Sequence, residues 1–282
     1  RWHYAQRYWY APDRGLDALF AGNRRFYRYR KRIEGCLQEL GFDLARTEIV
    51  PVEHHLSHAS SAYHCSGFRE KTAILGIDGK GEYATTFFGY GENGRIHKSK
   101  EFFDPDSLGG LYGAITEYLG FEMLDGEYKV MGMAPYGDPD KYDFSRLAKF
   151  EHGELTIDTD YANVIGLRRY KEAGKGYYFS PKLIDWLGPR RQGDIADDPY
   201  IHYAASMQKL FEDIALAMLD HYLGDILRAT GRLAFAGGGA LTDAGSHRLD
   251  LLFWLFGPVL FVAASAGLVA FLYWLHRAPQ IA

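Results

Sequence analysis

The sequence predicts an α/β domain, and three observations carry that expectation. Two apolar strand-like runs, Thr72 to Asp78 and Leu233 to Ala236, each end in a glycine-rich turn. Between them Ile201, Ala205, Met207, Leu210, Ile214, Met218, Tyr222 and Ile226 recur at helical spacing. Strands and helices thus alternate along the chain, as they do when helices cover a sheet.

The elements follow in order. Residues 1 to 48 read as helical and surface-rich, and the basic cluster Arg24, Arg25, Arg28, Arg30, Lys31, Arg32 reads as a solvated face because Glu34 and Glu39 follow. Ile49 to Val52 is expected as a short strand, and Glu53 to about Cys65 as a helix. Thr72 to Asp78 and Tyr83 to Tyr90, joined by Gly79-Lys80-Gly81 and followed by Gly91-Glu92-Asn93-Gly94, predict a β-hairpin or meander. Ser107 caps a helix over Leu108 to Leu119 that Gly120 ends. Residues 150 to 195 hold short, irregular elements. Asp at the cap and Pro199 at the first helical position open the long helix, and Gly231 stops it.

Composition narrows the function. With 47% hydrophobic residues, 24% charged, 21 Tyr and 18 Phe over 282 residues, the chain is globular, and low-complexity or collagenous classes are excluded. Net charge is -4, so there is no electrostatic reason to seek nucleic acid. Two cysteines cannot build a disulfide framework and no signal peptide is evident, so a cytoplasmic compartment is expected for the main domain. Because the first residue is Arg1, the chain is read as a fragment. From Leu251 to Leu275 no residue is charged, and Trp254, Tyr273 and Trp274 stand near the ends of that run. A membrane-spanning hydrophobic helix and membrane contact through 251–275 are expected, a buried core helix being the alternative.

The sharpest chemistry lies in Glu53-His54-His55-Leu56-Ser57-His58. On a helix His54 and His58 share a face at i, i+4, a separation one metal ion bridges, and His55 points elsewhere. No Glu follows His54, so the zincin pattern is absent. Asp78 at a strand end is a third ligand or the start of an Asx turn; two imidazoles and a carboxylate with open positions suit Fe(II) or Zn(II). The run from Asp125 to Gly137 is either an anion cradle, with Lys129 neutralising charge, or a tight connection packed under Met131 and Met133. Gly237-Gly238-Gly239 is a second candidate cradle. The Rossmann fingerprint and Walker lysine are missing.

In this order, HHLSHASSAY (54–63), GIDGKGEYATT (76–86), SLGGLYGAITEYLGF (107–121), GEYKVMGMAPYGDP (126–139) and LAFAGGGAL (233–241) resemble the NodU/CmcH-type O-carbamoyltransferases. The resemblance implies an incomplete actin-like (ASKHA, ribonuclease H-like) domain over 1–248, with 249–282 as a hydrophobic tail outside it. It implies His54, His58 and Asp78 as metal ligands, with Lys129 and Glu127 in the catalytic loop. Gly79, Gly81, Gly109, Gly126, Gly137, Gly237, Gly238 and Gly239 would line a pocket for ATP or carbamoyl-adenylate, with Lys129 pointing into the same cleft as Gly237 to Gly239. The implied partners are carbamoyl phosphate and a hydroxyl of a small molecule or sugar. Tyr128 stands where the family pattern has glycine, and the resemblance stops after Leu241, before the late acidic ligand. The alternative from another class is a non-catalytic, membrane-tethered nucleotide-binding module of the same fold.

Overall fold

The structure is a computed structural model that describes residues 15–16, 19–20, 22–162, 169–193, 197–237 and 260–263. The chain divides into two compact units, one up to Val52 and one from Glu53 onward. The first holds helix α1, Gly22–Glu39. Gly41 at φ 86° closes it in a left-handed cap: the Phe42 and Gly41 N–H groups donate to the Leu37 and Gln38 carbonyls, both at 2.9 Å. Arg24, Arg28, Arg30, Lys31 and Arg32 are exposed. Ile49 to Val52, expected as a strand, is irregular. Pro51 has no N–H for a ladder, and Val50 and Val52 are exposed, so no buried face rewards pairing.

The second unit contains α2 (His54–Cys65), β1 (Thr72–Ile77), β2 (Ala84–Glu92), β3 (Arg95–Phe103), α3 (Leu108–Tyr118) and α4 (Glu127–Met133). There follow the hairpins β4 (Ala148–Glu151) with β5 (Glu154–Ile157) and β6 (Lys171–Glu172) with β7 (Lys175–Gly176). Last come α5 (Pro181–Leu187), α6 (Tyr200–Thr230), β8 (Arg232–Gly237) and β9 (Leu260–Ala263). The architecture is α/β, as expected. The main sheet runs β3-β2-β1-β8-β9, antiparallel from β3 to β1 and parallel from β1 to β9. Asn93 and Gly94, both at positive φ, turn β2 into β3; Gly91 and Glu92 belong to β2 rather than to the turn.

Every residue of β1 is buried, because helices cover both sheet faces. Ala73, Leu75 and Ile77 face the larger core with Phe88, Phe102, Leu233 and Phe235, against residues of α3 and α6. The alternate residue Ile74 joins Phe87, Ala234 and Ala236 against Ala59, Ala62 and Tyr63 of α2. Ser107 caps α3, its hydroxyl accepting the Gly110 N–H at 2.9 Å. At the other end the Arg190 and Arg191 guanidinium groups donate to the Glu117 and Leu119 carbonyls, placing positive charge where the helix dipole favours it.

Two further expectations need correction. Helix α6 begins at Tyr200 with Pro199 at the N-cap, not the first helical position. The proline ring disfavours helical backbone at Asp198, so the chain enters through a turn in which the His202 N–H donates to the Pro199 carbonyl at 3.0 Å. Gly231, left-handed at φ 62°, ends the helix as expected. The second correction concerns the hydrophobic tail. Leu260–Ala263 is strand, with Phe261 opposite Leu233 and Val262 opposite Ala234, so a continuous helix over 251–275 fails at these residues. A uniformly apolar run carries no period to distinguish helix from strand, and β8 offers a row of backbone groups that pairing satisfies. The rest of 251–275 lies outside the described residues. No helix among the described residues is long and apolar enough to cross a membrane.

Candidate metal centre

Strand β1 delivers Asp78 to the carboxyl edge of the sheet, and α2 lays His54 and His58 beside it. His54 Nε2 stands 2.7 Å from Asp78 Oδ2 and 3.1 Å from His58 Nε2, and His58 Nε2 is 3.7 Å from the same carboxylate oxygen. The imidazole rings cross at 78° with centroids 4.6 Å apart. Two metal bonds of about 2.1 Å put their donor atoms roughly 3.0–3.4 Å apart at octahedral or tetrahedral angles, the middle of the observed range. A proton satisfies the short His54–Asp78 contact, and a cation could bridge all three atoms, which lie within 4.8 Å of one another. The residues therefore fit a divalent metal, and all three are partly exposed, leaving coordination positions open to a ligand. The other Asp78 oxygen accepts the Gly79 N–H at 2.6 Å, which leaves Oδ2 facing the two imidazoles.

His55 is buried beneath the pair, with no hydrogen-bond partner for either ring nitrogen among the described residues. Burial, reinforced by the neighbouring His54, holds its imidazole below the usual histidine range. Lys80, in the turn after Asp78, is ion-paired with buried Asp104. Ser107 Oγ donates to the Gly79 carbonyl at 2.6 Å, tying that turn to the start of α3.

The candidate glycines separate into groups. Gly237 is the register partner of Ile77, so the triglycine run begins one position from Asp78 at the same sheet edge; Gly238 and Gly239 lie outside the described residues. A Cβ at Gly79 would meet nothing within 4 Å, whereas at Gly81 it would come within 2.8 Å of His55 Nδ1. At Gly109 it would lie 2.8 Å from the Asp78 carbonyl oxygen, at Gly126 2.7 Å from that of Glu122, and at Gly137 it would strike the Ile201 carbonyl. Those last three are packing contacts. Gly109→Ala is expected to cost about 1–3 kcal/mol, since backbone must shift on both sides, and to weaken metal uptake by moving Asp78. Chemical denaturation and a metal titration check the two effects.

Lys129 lies on α4 with its ammonium 5.4 Å from the Tyr128 ring centroid and 5.8 Å from that of Phe121. Glu127 accepts the Leu124 and Gly126 N–H groups at 2.9 and 3.2 Å, which orders the turn into α4. Sequence reasoning missed Glu82, whose carboxylate accepts the His54 N–H. A lone acid after a Gly turn gives no local sign of that partner.

Residues 18–244 match the carbamoyltransferase N-terminus family. The chain belongs to that family. Among curated proteins, the chain is 36% identical over 201 residues to nodulation protein NolNO of Sinorhizobium fredii, covering 71% of the chain and 27% of that protein. An uncharacterised protein of Synechocystis is 33% identical over 249 residues, covering 85% of the chain and 39% of the relative. Nodulation protein NolO of Bradyrhizobium diazoefficiens is 36% identical over 189 residues, 66% of the chain and 31% of that protein. The matched region thus spans between a quarter and two-fifths of these relatives. The HHLSHA, DGKGEY and GEYKVMG segments all fall inside the family match.

Proposed function

We propose that the chain carries the metal-assisted transfer site of an O-carbamoyltransferase built on an actin-like (ASKHA, ribonuclease H-like) domain. The observation that carries this reading is the convergence of His54, His58 and Asp78 at the carboxyl end of β1, inside the region matched to the family. In α/β folds ligands gather at that edge. These three residues would hold Fe(II) or Zn(II), which when bound supplies Lewis-acid polarisation of a carbonyl.

The substrate is a carbamoyl-adenylate, formed from ATP and carbamoyl phosphate, and the acceptor is a hydroxyl of a small molecule or sugar. In the transfer, the acceptor oxygen bonds to the carbamoyl carbon, the bond from that carbon to the adenylate phosphate oxygen breaks, the hydroxyl proton passes to solvent, and AMP departs. Lys129 offers charge to the phosphate, with Glu127 ordering its loop. Gly79, open on its Cβ side, leaves backbone accessible beside Asp78, and Gly237 pairs with Ile77 at the same sheet edge.

The test is to supply the Zn(II)- or Fe(II)-loaded chain with carbamoyl-adenylate and a panel of sugar hydroxyls, following AMP release and adenylate binding. AMP release that depends on acceptor supports transfer. Adenylate bound without AMP release returns the chain to a nucleotide-binding module, and no binding at all overturns both. Lys129→Ala is expected to weaken adenylate binding about 10–100-fold, as loss of a charge-assisted contact does. Its stability should fall by only about 0.5–1 kcal/mol, the worth of an ammonium near an exposed Tyr128 ring and a half-buried Phe121 ring. Isothermal titration and thermal melting separate the two.

A further inference from the structure

Two elements carry the converging donors: α2 holds His54 and His58, and the turn after β1 holds Asp78. Their relative position decides whether three atoms meet at one point. The N-cap residue of α2, Glu53, makes no capping bond; its carboxylate is engaged by Lys98 Nζ at 2.8 and 3.0 Å. The first N–H of the helix, that of His54, instead meets the two Glu82 carboxylate oxygens at 3.2 and 3.1 Å. Glu82 belongs to the turn that Asp78 opens, 28 residues further along the chain.

That turn is seated on α2 by contacts of different kinds. Asp78 reaches the His54 ring, Glu82 reaches the His54 backbone, and Gly81 presses so close to the His55 ring that no side chain fits there. Within the turn the Gly81 N–H donates to the Ala84 carbonyl at 2.8 Å and the Asp78 N–H to that of Thr85 at 3.0 Å, so the segment behaves as one body. A carboxylate at a helix N-terminus satisfies an orphan donor and is favoured by the helix dipole. Metal sites need their ligands held to within about 0.5 Å, and groups that orient ligands without touching the metal are part of that precision.

We propose that Glu82 is a positioning residue of the metal centre: it caps α2 across the turn and thereby fixes the spacing between His54 and Asp78. The inference rests on the metal reading above, but the clamp itself exists in the metal-free chain. Glu82 acts through the His54 backbone and is not among the converging ligand atoms.

The experiment uses the full chain with Glu82→Ala and Glu82→Gln. Co(II) is titrated and followed by its visible absorption, and exchange of the His54 amide is measured by NMR without metal. Glu82→Ala should weaken Co(II) binding about tenfold and alter the absorption envelope, as loss of an orienting partner does. Glu82→Gln keeps an acceptor oxygen and should stay within about threefold of the parent. The His54 amide should exchange faster in the alanine variant. Co(II) affinity and spectrum unchanged in Glu82→Ala, even with a lowered melting temperature, overturn the positioning role. An unchanged His54 exchange rate overturns the clamp. If the parent chain takes up no Co(II), the metal reading falls and this role with it, a result distinct from either of those.

Discussion

Asp78→Asn is expected to reduce Zn(II) or Co(II) affinity by more than about a hundredfold, because groups that merely orient a ligand already account for about 10–100-fold. The substitution preserves shape. The native carboxylate uses Oδ1 for the Gly79 N–H and Oδ2 for His54. An amide has only one oxygen, so it either keeps the Gly79 N–H contact or faces the metal. Keeping that contact leaves an NH2 group pointing at two imidazole nitrogens and removes the negative charge that a cation needs. Folding stability should change by less than about 1 kcal/mol, as for a partly exposed group that keeps its turn bond. Competition with a chromophoric chelator measures affinity, and urea denaturation measures stability. Parental affinity in this variant would remove Asp78 from the site.

Phe88→Ala is expected to cost about 3–5 kcal/mol, the largest stability loss of any single change considered for this chain. Phe88 is fully buried on β2, packed edge-on against Phe102 of β3 at 5.9 Å and against Tyr222 of α6 at 4.8 Å. Removing the ring opens a cavity where two strands and the long helix meet, and none of those neighbours is free to collapse into it without disturbing the others. The shift should appear in the urea midpoint at constant slope. Metal affinity should hold wherever the chain remains folded, since Phe88 lies on the α6 side of the sheet and the metal ligands on the α2 side and at its edge.

The cluster of His54, His58 and Asp78 was legible because its signal is local. The i, i+4 spacing puts His54 and His58 on one helical face, and a strand-terminal Asp followed by glycine exposes its carboxylate. The α3 cap at Ser107 and the stop at Gly231 were legible for the same reason, since caps are read within one turn of helix. What could not be read depends on contacts between distant segments. Glu82 finds the His54 N–H only once β1 and α2 are packed. The glycines at 109, 126 and 137 look alike in sequence whether they face a ligand or a neighbouring carbonyl, and only packing reveals the carbonyl. Ile49 to Val52 has the composition of a strand but no sheet to join. Leu260 to Ala263 has the composition of a helix core but stands next to a strand with open backbone groups.

Strand β3 bounds one side of the main sheet among the described residues, and its composition sets how that border meets other molecules. Five of its nine residues are Arg95, His97, Lys98, Lys100 and Glu101. Lys98 is bound to Glu53 and Glu101, and Lys100 to Glu154. A second chain adding a strand alongside would have to strip water from these ion pairs to reach the backbone groups between them. The border is therefore self-protected against edge-to-edge aggregation, and the sheet grows instead on the opposite side, where β8 accepts the wholly apolar β9.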